Sequence, residues 1–421
     1  MTRTLLTGNG AAAWGARLAR IDYAPAFPIT PQTEIIETLA NWIDSGAMEG
    51  RLVTMDSEHS MITAAGAAAT TGVRVFTATS SQGLLYGMEM LYTIAGWRAP
   101  LVLVNVSRGL ASPITLEPDH NDVLAARDCG FLQIHCATCQ EVLDSVLIAY
   151  RLAEDHRVRL PVLVNLDGFY LSFTREPVVI PDPETVDRFL PPHDPENIAF
   201  RAGAPMSQGV AVLGGSAYSY FRYQMHLAAR KALPVYDEIA HDFAALFGRC
   251  HQAVECYRSD DAEYLFVMMG SFATKAQEAV DRLRETGLAI GLIRPRLIRP
   301  LPADHLREAL AGKRGVAVID QNLSPGSGGI LHTELAAALG CQRSRPMPVL
   351  ASFIGGLGGR EISAEEFYEM AQLTVEAAAT NRPPPLRLLY TEEELREIRK
   401  LQGVAGATGK TPAPGGERCR R

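Results

Sequence analysis

No stretch of this sequence reaches the roughly eighteen consecutive apolar residues that a membrane-spanning helix needs. The opening residues, MTRTLLTGNGAAAWGARLAR, lack the apolar core and small-residue cleavage site of a secretory leader. A cytoplasmic protein with no membrane partner is expected. An excess of positive charge is also missing: 40 Lys and Arg stand against 47 Asp and Glu, and the cations are scattered, so nothing points to nucleic acid. Cysteine is sparse and odd in number, with seven in 421 residues, which reads as reduced thiols and not as a disulfide framework. Cys136 and Cys139, in CATC, have metal or redox spacing, but no second CxxC accompanies them. Structural or incidental thiols are the reading that the missing partners favour. A Walker loop and a GxGxxG fingerprint are absent as well.

What is present is ordinary globular composition, 47% hydrophobic and 21% charged, in a chain long enough for two or three packed domains. Short apolar runs recur at 74–81 (RVFTATSS), 100–107 (PLVLVNVS), 160–167 (LPVLVNLD), 264–271 (YLFVMMGS), 289–296 (AIGLIRPR), 315–320 (GVAVID) and 348–356 (PVLASFIGG). Most are continuous and not alternating, the pattern of strands covered on both faces, hence of parallel sheets wrapped by helices. Amphipathic segments such as 140–156 and 273–287 have crossover length. The fold class is α/β. Prolines spread from 177 to 195 predict a long extended connector, and 200–250 reads as a strand, a turn and a helix. The expected division is a domain over 1–250, a smaller one over 251–380 and an extension over 381–402. Its helix is capped by Thr391 with Glu394 in the capping-box position. The Gly/Pro-rich end, 403–421, is read as a disordered tail.

Three segments of the first domain carry candidate chemistry at the loop ends of a parallel sheet. In FPITPQTEIIETLANW (27–42), Thr30 either caps the following helix or offers its hydroxyl to a ligand oxyanion. In MDSEHSMITAAGAAATTG (55–72), Glu58 is either a solvated acid at a helix start or a functional carboxylate. The small residues behind it let a backbone or a flat ligand come close. In NVSRGLASPITLEPDHNDVLAARD (105–128), Arg108 suits a carboxylate or phosphate, with a surface ion pair as the alternative. Asp119, His120, Asn121 and Asp122 follow it, without the i, i+4 spacing of metal ligands. In the second half, NLSPGSGGILHTELAAAL (322–339) and FIGGLGGREIS (353–363) are glycine-rich turns, for phosphate or simply for tight geometry.

Taken in order, PITP, DSEHSMITAAGAAATTG, TATSSQGLLYGMEMLYTIAGWRAPLVLVNVSR, LPVLVNLDGF and DQNLSPGSGGILHTE…FIGGLGGR resemble the α subunit of the 2-oxoacid:ferredoxin oxidoreductases, the pyruvate synthase group, over about residues 5–375. The resemblance implies a domain like the pyrimidine-binding domain of thiamine enzymes, then one like the C-terminal domain of transketolase. It implies oxidative decarboxylation of a 2-oxoacid on thiamine diphosphate, electrons leaving through iron–sulfur clusters to ferredoxin or flavodoxin, and an acyl-coenzyme A product. Glu58 matches the glutamate that hydrogen-bonds the cofactor's aminopyrimidine and so activates it. Thr30 and Arg108 match the substrate contacts; Ile29, Ser81, Gln82 and Gly83 match positions facing the cofactor. Phe27 stands where the family commonly has tyrosine, and the loop after Arg108 lacks a tryptophan often found there.

The same resemblance makes two absences informative. Thiamine enzymes hold the diphosphate through a metal bound by a GDG-type motif, and no GDG occurs; nor does a CxxCxxCxxxC series. The expectation is therefore that a β subunit carries the diphosphate and Mg²⁺, and that γ-type and ferredoxin-like subunits or domains carry [4Fe-4S] clusters. Pyruvate is the expected substrate; 2-oxoglutarate, a branched-chain 2-oxoacid, an aryl pyruvate and oxalate are the alternatives. A non-catalytic scaffold paralogue and a nucleotide-binding protein using its glycine turns are the rivals from other classes.

Overall fold

The computed structural model describes residues 2–195, 199–341 and 347–404. Of the tail expected over 403–421, everything beyond Val404 lies outside them. Residues through Arg387 form one compact unit and those from Leu388 onward a second. The first unit opens with β1 (Thr2–Thr7), α1 (Gly8–Leu18), β2 (Tyr23–Ala26), α2 (Thr33–Asp44), β3 (Arg51–Thr54), α3 (Glu58–Ala69), β4 (Phe76–Thr79), α4 (Gln82–Tyr86), α5 (Met88–Trp97) and β5 (Val102–Ser107). Next come α6 (Asn121–Ala125), β6 (Leu132–His135), α7 (Cys139–Glu154), β7 (Val162–Asp167), β8 (Arg175–Ile180), α8 (Pro183–Phe189) and α9 (Gly215–Phe247). It ends with β9 (Val254–Tyr257), β10 (Tyr264–Val267), α10 (Ala273–Glu285), β11 (Ile290–Pro295), β12 (Leu297–Arg299), α11 (Ala303–Ala309), β13 (Gly315–Asp320), α12 (Ile330–Gly340), β14 (Val349–Ile354) and α13 (Ala364–Thr380). The second unit holds α14 (Glu392–Val404), with Thr391 and Glu394 making the two reciprocal capping bonds that the sequence predicts.

The expected α/β architecture forms. One sheet has the order β12-β6-β7-β5-β4, parallel but for its edge strand β12; in the other, neighbours run β14-β13-β10-β11-β9, parallel but for β9. The continuous apolar runs are explained by β5. Its Val102, Val104 and Val106 share a core with Leu143 of α7 and Phe243 of α9, while Leu103 shares another with Met61 of α3 and Ile94 of α5. Alternate residues thus meet opposite layers, and neither face can be polar. Strand β12 follows β11 of the second sheet yet closes the edge of the first, so the two halves of the unit share a strand boundary.

The carboxyl ends of both sheets meet across the segment that follows β5. His120 N–H donates to Gln321 O at 2.8 Å, Leu323 N–H to Asn121 Oδ1 at 3.0 Å and Gly359 N–H to Pro118 O at 2.7 Å. His120 Nε2 lies 2.8 Å from Asp167 Oδ1, and Ser271 donates its N–H and Oγ–H to Asp167 Oδ2 at 2.8 and 2.6 Å. Both glycine-rich turns are accounted for here. Asp320 and Asn322 accept the N–H groups of Ile330, Leu331 and His332, so a carboxylate of the chain itself occupies the start of α12. Gly358 and Gly359, at φ 55° and 75°, bring their N–H groups to Asp119 and Pro118. The tight-turn reading fits them better than a phosphate cradle.

Two expectations need correction. The proline-rich segment is not a plain connector: β8 pairs antiparallel with β1, placing Pro177 opposite Leu5 on a two-stranded ribbon. Asp182 then caps α8 through Thr185 N–H, with Pro183 in its first turn. The apolar run at 208–213 is not a strand, because it finds no sheet edge to pair with; Val210 and Leu213 stand exposed, and the single helix α9 follows. Cys136 and Cys139 are buried structural thiols. Burial pushes the Cys136 thiol up to about 12, and no group of metal-ligand type gathers among the described residues. No described helix is long and apolar enough to cross a membrane.

Candidate active site

Helix α3 starts at Glu58 because Ser57, in extended backbone, accepts a hydrogen bond from Ser60 N–H at 3.2 Å. Glu58 as a residue is only 9% exposed and no described group donates to its carboxylate, whose oxygens keep some contact with solvent. The small residues behind it are packing surface. A Cβ on Gly66 would lie 2.3 Å from Ile94 Cγ1, so they admit α5. Space beside the carboxylate is kept by Gly83, where a Cβ would lie 2.7 Å from Glu58 Oε1 and 2.6 Å from Thr79 Oγ1.

Gly83 and Gln82 open α4, preceded by Ser81 at φ 49°, ψ −119°, a conformation that a non-glycine residue adopts at a cost of order 1–3 kcal/mol. Ser81 is fully buried; its N–H donates to Asp122 Oδ2 at 3.0 Å, and its hydroxyl lies within reach of Gln82 Oε1 and Gly109 O. The loop expected at 81–83 is therefore a strained turn running into a short helix.

Arg108, the first residue beyond β5, is 7% exposed. Its guanidinium donates to Thr30 O at 2.8 Å and Gln82 Oε1 at 2.7 Å, while Nε–H has no acceptor. No carboxylate lies within ion-pair distance among the described residues, which overturns the surface ion-pair alternative. Burial pulls the guanidinium below the ordinary arginine range, Asp122 offsetting part of that. A buried, hydrogen-bonded cation with no carboxylate in direct contact is costly for the chain alone. Thr30 does not cap α2. That helix begins three residues later, at Thr33, and the exposed Thr30 leaves its hydroxyl free beside the carbonyl that holds Arg108. Ile29 is half-buried in the same turn.

The structure thus joins Thr30, Arg108, Gln82, Gly83 and Glu58 through one residue pair, Gln82–Gly83, at the carboxyl ends of β4 and β5. It also shows what sequence reasoning missed. Thr79 Oγ1, Ser80 Oγ and Gln82 Nε2 are buried without a partner. Buried polar groups without a partner in the chain are unusual, and three of them fall in this one turn. The signal available was a hydroxyl-rich end, TATSS, on an otherwise apolar buried strand. Asp122, one of the four polar residues that the sequence offers only as lacking metal-ligand spacing, is a hub. It accepts hydrogen bonds from Ser81 N–H, Asn105 Nδ2, Ser107 Oγ, Arg108 N–H and Val123 N–H. Burial pushes its carboxyl above the ordinary range, and these donors pull it back.

Residues 14–240 match the family described as pyruvate flavodoxin/ferredoxin oxidoreductase, thiamine diP-bdg, and residues 262–367 match pyruvate:ferredoxin oxidoreductase core domain II. The chain belongs to the pyruvate:ferredoxin oxidoreductase family. Among relatives, it is 40% identical to pyruvate synthase subunit PorA of Methanothermobacter thermautotrophicus over 374 residues, covering 89% of this chain and 96% of that one. It is 39% identical to PorA of Pyrococcus abyssi over 93% of this chain and 99% of that one. It is 38% identical to ketoisovalerate oxidoreductase subunit VorA of Pyrococcus horikoshii over 88% and 93%. The fold is shared, at 20% identity and a TM-score of 0.68, with a 2-oxoglutarate:ferredoxin oxidoreductase from Magnetococcus marinus. The match covers 89% of this chain and 65% of that one.

For a member of this family, Gly83 gives a test of the cradle. Gly83→Ala is expected to displace the Glu58 carboxylate and to lower kcat about 100-fold, the scale of a misplacement of about 1 Å. Stability should fall by only about 1–3 kcal/mol, the cost of local overpacking, read as a modest drop in melting temperature. Steady-state kinetics and a thermal melt on the assembled enzyme check both; an unchanged kcat would show that the cradle is not needed.

Proposed function

We propose that this chain is the α subunit of a thiamine-diphosphate-dependent 2-oxoacid:ferredoxin oxidoreductase. Pyruvate and coenzyme A give acetyl-coenzyme A and carbon dioxide, reversibly, with electrons passing to ferredoxin or flavodoxin. The observation that carries the reading is the placement of a carboxylate to which no described group donates, Glu58, and a largely buried guanidinium, Arg108, on either side of Gln82–Gly83.

Thiamine diphosphate, when bound, supplies the nucleophilic carbon and the electron sink that decarboxylation needs. Glu58, free of protein donors, is the acceptor for an N–H of a heterocycle entering the Gly83 cradle. Arg108 and the Thr30 hydroxyl bind and orient the substrate's carboxylate and keto oxygen, and Ile29, in the same turn, faces the cofactor. The guanidinium is fixed beforehand by Thr30 O and Gln82, which lowers the cost of ordering it.

A partner subunit carrying the diphosphate and Mg²⁺, and iron–sulfur subunits or domains, are part of the proposal. It is supported by the lack of a GDG motif and of a ferredoxin-type cysteine series in the chain. A cytoplasmic location goes with it. Segments 27–33 and 109–118, flanking Thr30 and Arg108, contain no Lys or Arg. That favours a substrate with a neutral side chain over 2-oxoglutarate. A branched-chain 2-oxoacid is the second reading, favoured by the identity to the ketoisovalerate oxidoreductase subunit. The test is viologen reduction by the anaerobically purified native complex, with thiamine diphosphate, Mg²⁺ and coenzyme A, across a panel of 2-oxoacids. Reduction with pyruvate preferred is expected. No reduction with any acid, in a complex shown to hold its cofactors, would overturn the reading in favour of a non-catalytic paralogue.

A further inference from the structure

We infer that Asp122 is the positioning residue of this site: one carboxylate holds the backbone of Ser81, which carries the cofactor-facing turn, and the backbone of Arg108, which carries the substrate clamp. The inference rests on the function proposed above and adds a residue that touches neither substrate nor cofactor.

The geometry is asymmetric in a telling way. Oδ2 takes Ser81 N–H at 3.0 Å, Asn105 Nδ2 at 3.0 Å and Arg108 N–H at 3.3 Å; Oδ1 takes Ser107 Oγ at 2.7 Å and Val123 N–H at 2.7 Å. Asp122 is fully buried, and no basic side chain pairs with it within 4 Å among the described residues. Five donors fill the lone pairs of a carboxylate, and no neutral side chain of that size can accept so many. A buried charge with no ion-pair partner in direct contact is an expensive way to end two strands, since apolar packing would serve the fold alone. What the carboxylate adds is a common reference point for Ser81 and Arg108, which lie on different strands' ends and on the two sides of the site. Ser81 needs it most, because its positive φ is held against its own preference by the N–H bond to Oδ2 and the hydroxyl contacts. Asp122 is itself held: His120, two residues before it, is tied to Asp167 and to Gln321 O, so the reference point is anchored to both sheets.

The test compares wild type, Asp122→Ala, Asp122→Asn and the double variant Ser81→Gly/Asp122→Ala as assembled complexes. Thiamine diphosphate affinity is read by quenching of intrinsic fluorescence, KM by 2-oxoacid titration and folding by thermal melt. Asp122→Ala is expected to weaken thiamine diphosphate about tenfold and to raise KM about tenfold, the scale of one lost hydrogen bond per arm. In the double variant, glycine adopts the same turn without a tether, so cofactor affinity recovers at least about threefold relative to Asp122→Ala while KM stays raised. That split is one a purely structural anchor would not produce. If Asp122→Ala fails to assemble, Asp122→Asn carries the test, because it keeps shape and volume yet presents N–H₂ to one set of donors. At least one of the two parameters must then shift about tenfold. A lowered melting temperature with wild-type cofactor affinity and KM in the variant that assembles would overturn the positioning role. Wild-type complex that neither binds thiamine diphosphate nor turns over a 2-oxoacid would overturn the functional reading instead, and this inference with it.

Discussion

Glu58→Gln is expected to leave the assembled enzyme folded and able to take up thiamine diphosphate, while kcat falls by about 10²–10⁴-fold, the usual worth of a positioned acid–base group. The amide has the size of the carboxylate, so the Gly83 cradle and the packing of α3 on α5 are unchanged. What is lost is the charge that makes Glu58 a strong hydrogen-bond acceptor. No described protein group donates to that carboxylate, so the substitution strands no partner inside the chain, and the melting temperature should stay within a degree or two. The assay is 2-oxoacid-dependent viologen reduction beside a cofactor-binding titration. Full activity in the variant would remove Glu58 from the chemistry; lost cofactor binding together with lost structure would make it a packing residue.

Arg108→Ala should act on substrate use. A buried hydrogen bond to a charged group contributes about 1.5–3 kcal/mol, so kcat/KM for the 2-oxoacid is expected to fall roughly 10- to 150-fold, mostly through KM. Lysine should not restore it. Its ammonium cannot span Thr30 O and Gln82 Oε1 and still present a planar fork to a carboxylate. Because no carboxylate of the chain pairs with Arg108, its loss leaves no orphaned anion, and a thermal melt should show little change. A variant with wild-type kcat/KM would assign the guanidinium to the turn it braces. A large fall in melting temperature would do the same.

The strands and crossover helices of this fold are legible in the sequence because each central strand is apolar on both faces. Val102, Leu103 and Val104 face opposite layers, and a run of three such residues needs no partner sequence to be interpreted. Segments whose role depends on a distant partner are not legible in that way. Pro177 becomes part of a strand because Thr2–Thr7 lies alongside it, whereas 208–213 has strand-like residues and no edge to join. The site divides similarly. Glu58, Thr30 and Arg108 stand out by residue type and by the motifs around them. Asp122 does not, because its meaning lies in donors from Ser81, Asn105, Ser107 and Arg108. Thr30 was open to a capping role for the same reason: where α2 starts is decided by the turn before it, which ends at Gln32.

The partnerless buried groups of the β4 turn bear on how this chain should be engineered. Thr79, Ser80, Gln82 and Arg108 each hold polar atoms that the chain by itself leaves unsatisfied. Any selection scheme that rewards heat resistance or yield of the subunit expressed alone will favour apolar replacements at these positions. Such variants would look improved by every biophysical criterion until mixed with their partners. Thermostabilisation is therefore better scored on the reconstituted complex, with 79–83 and 108 excluded from the mutable set.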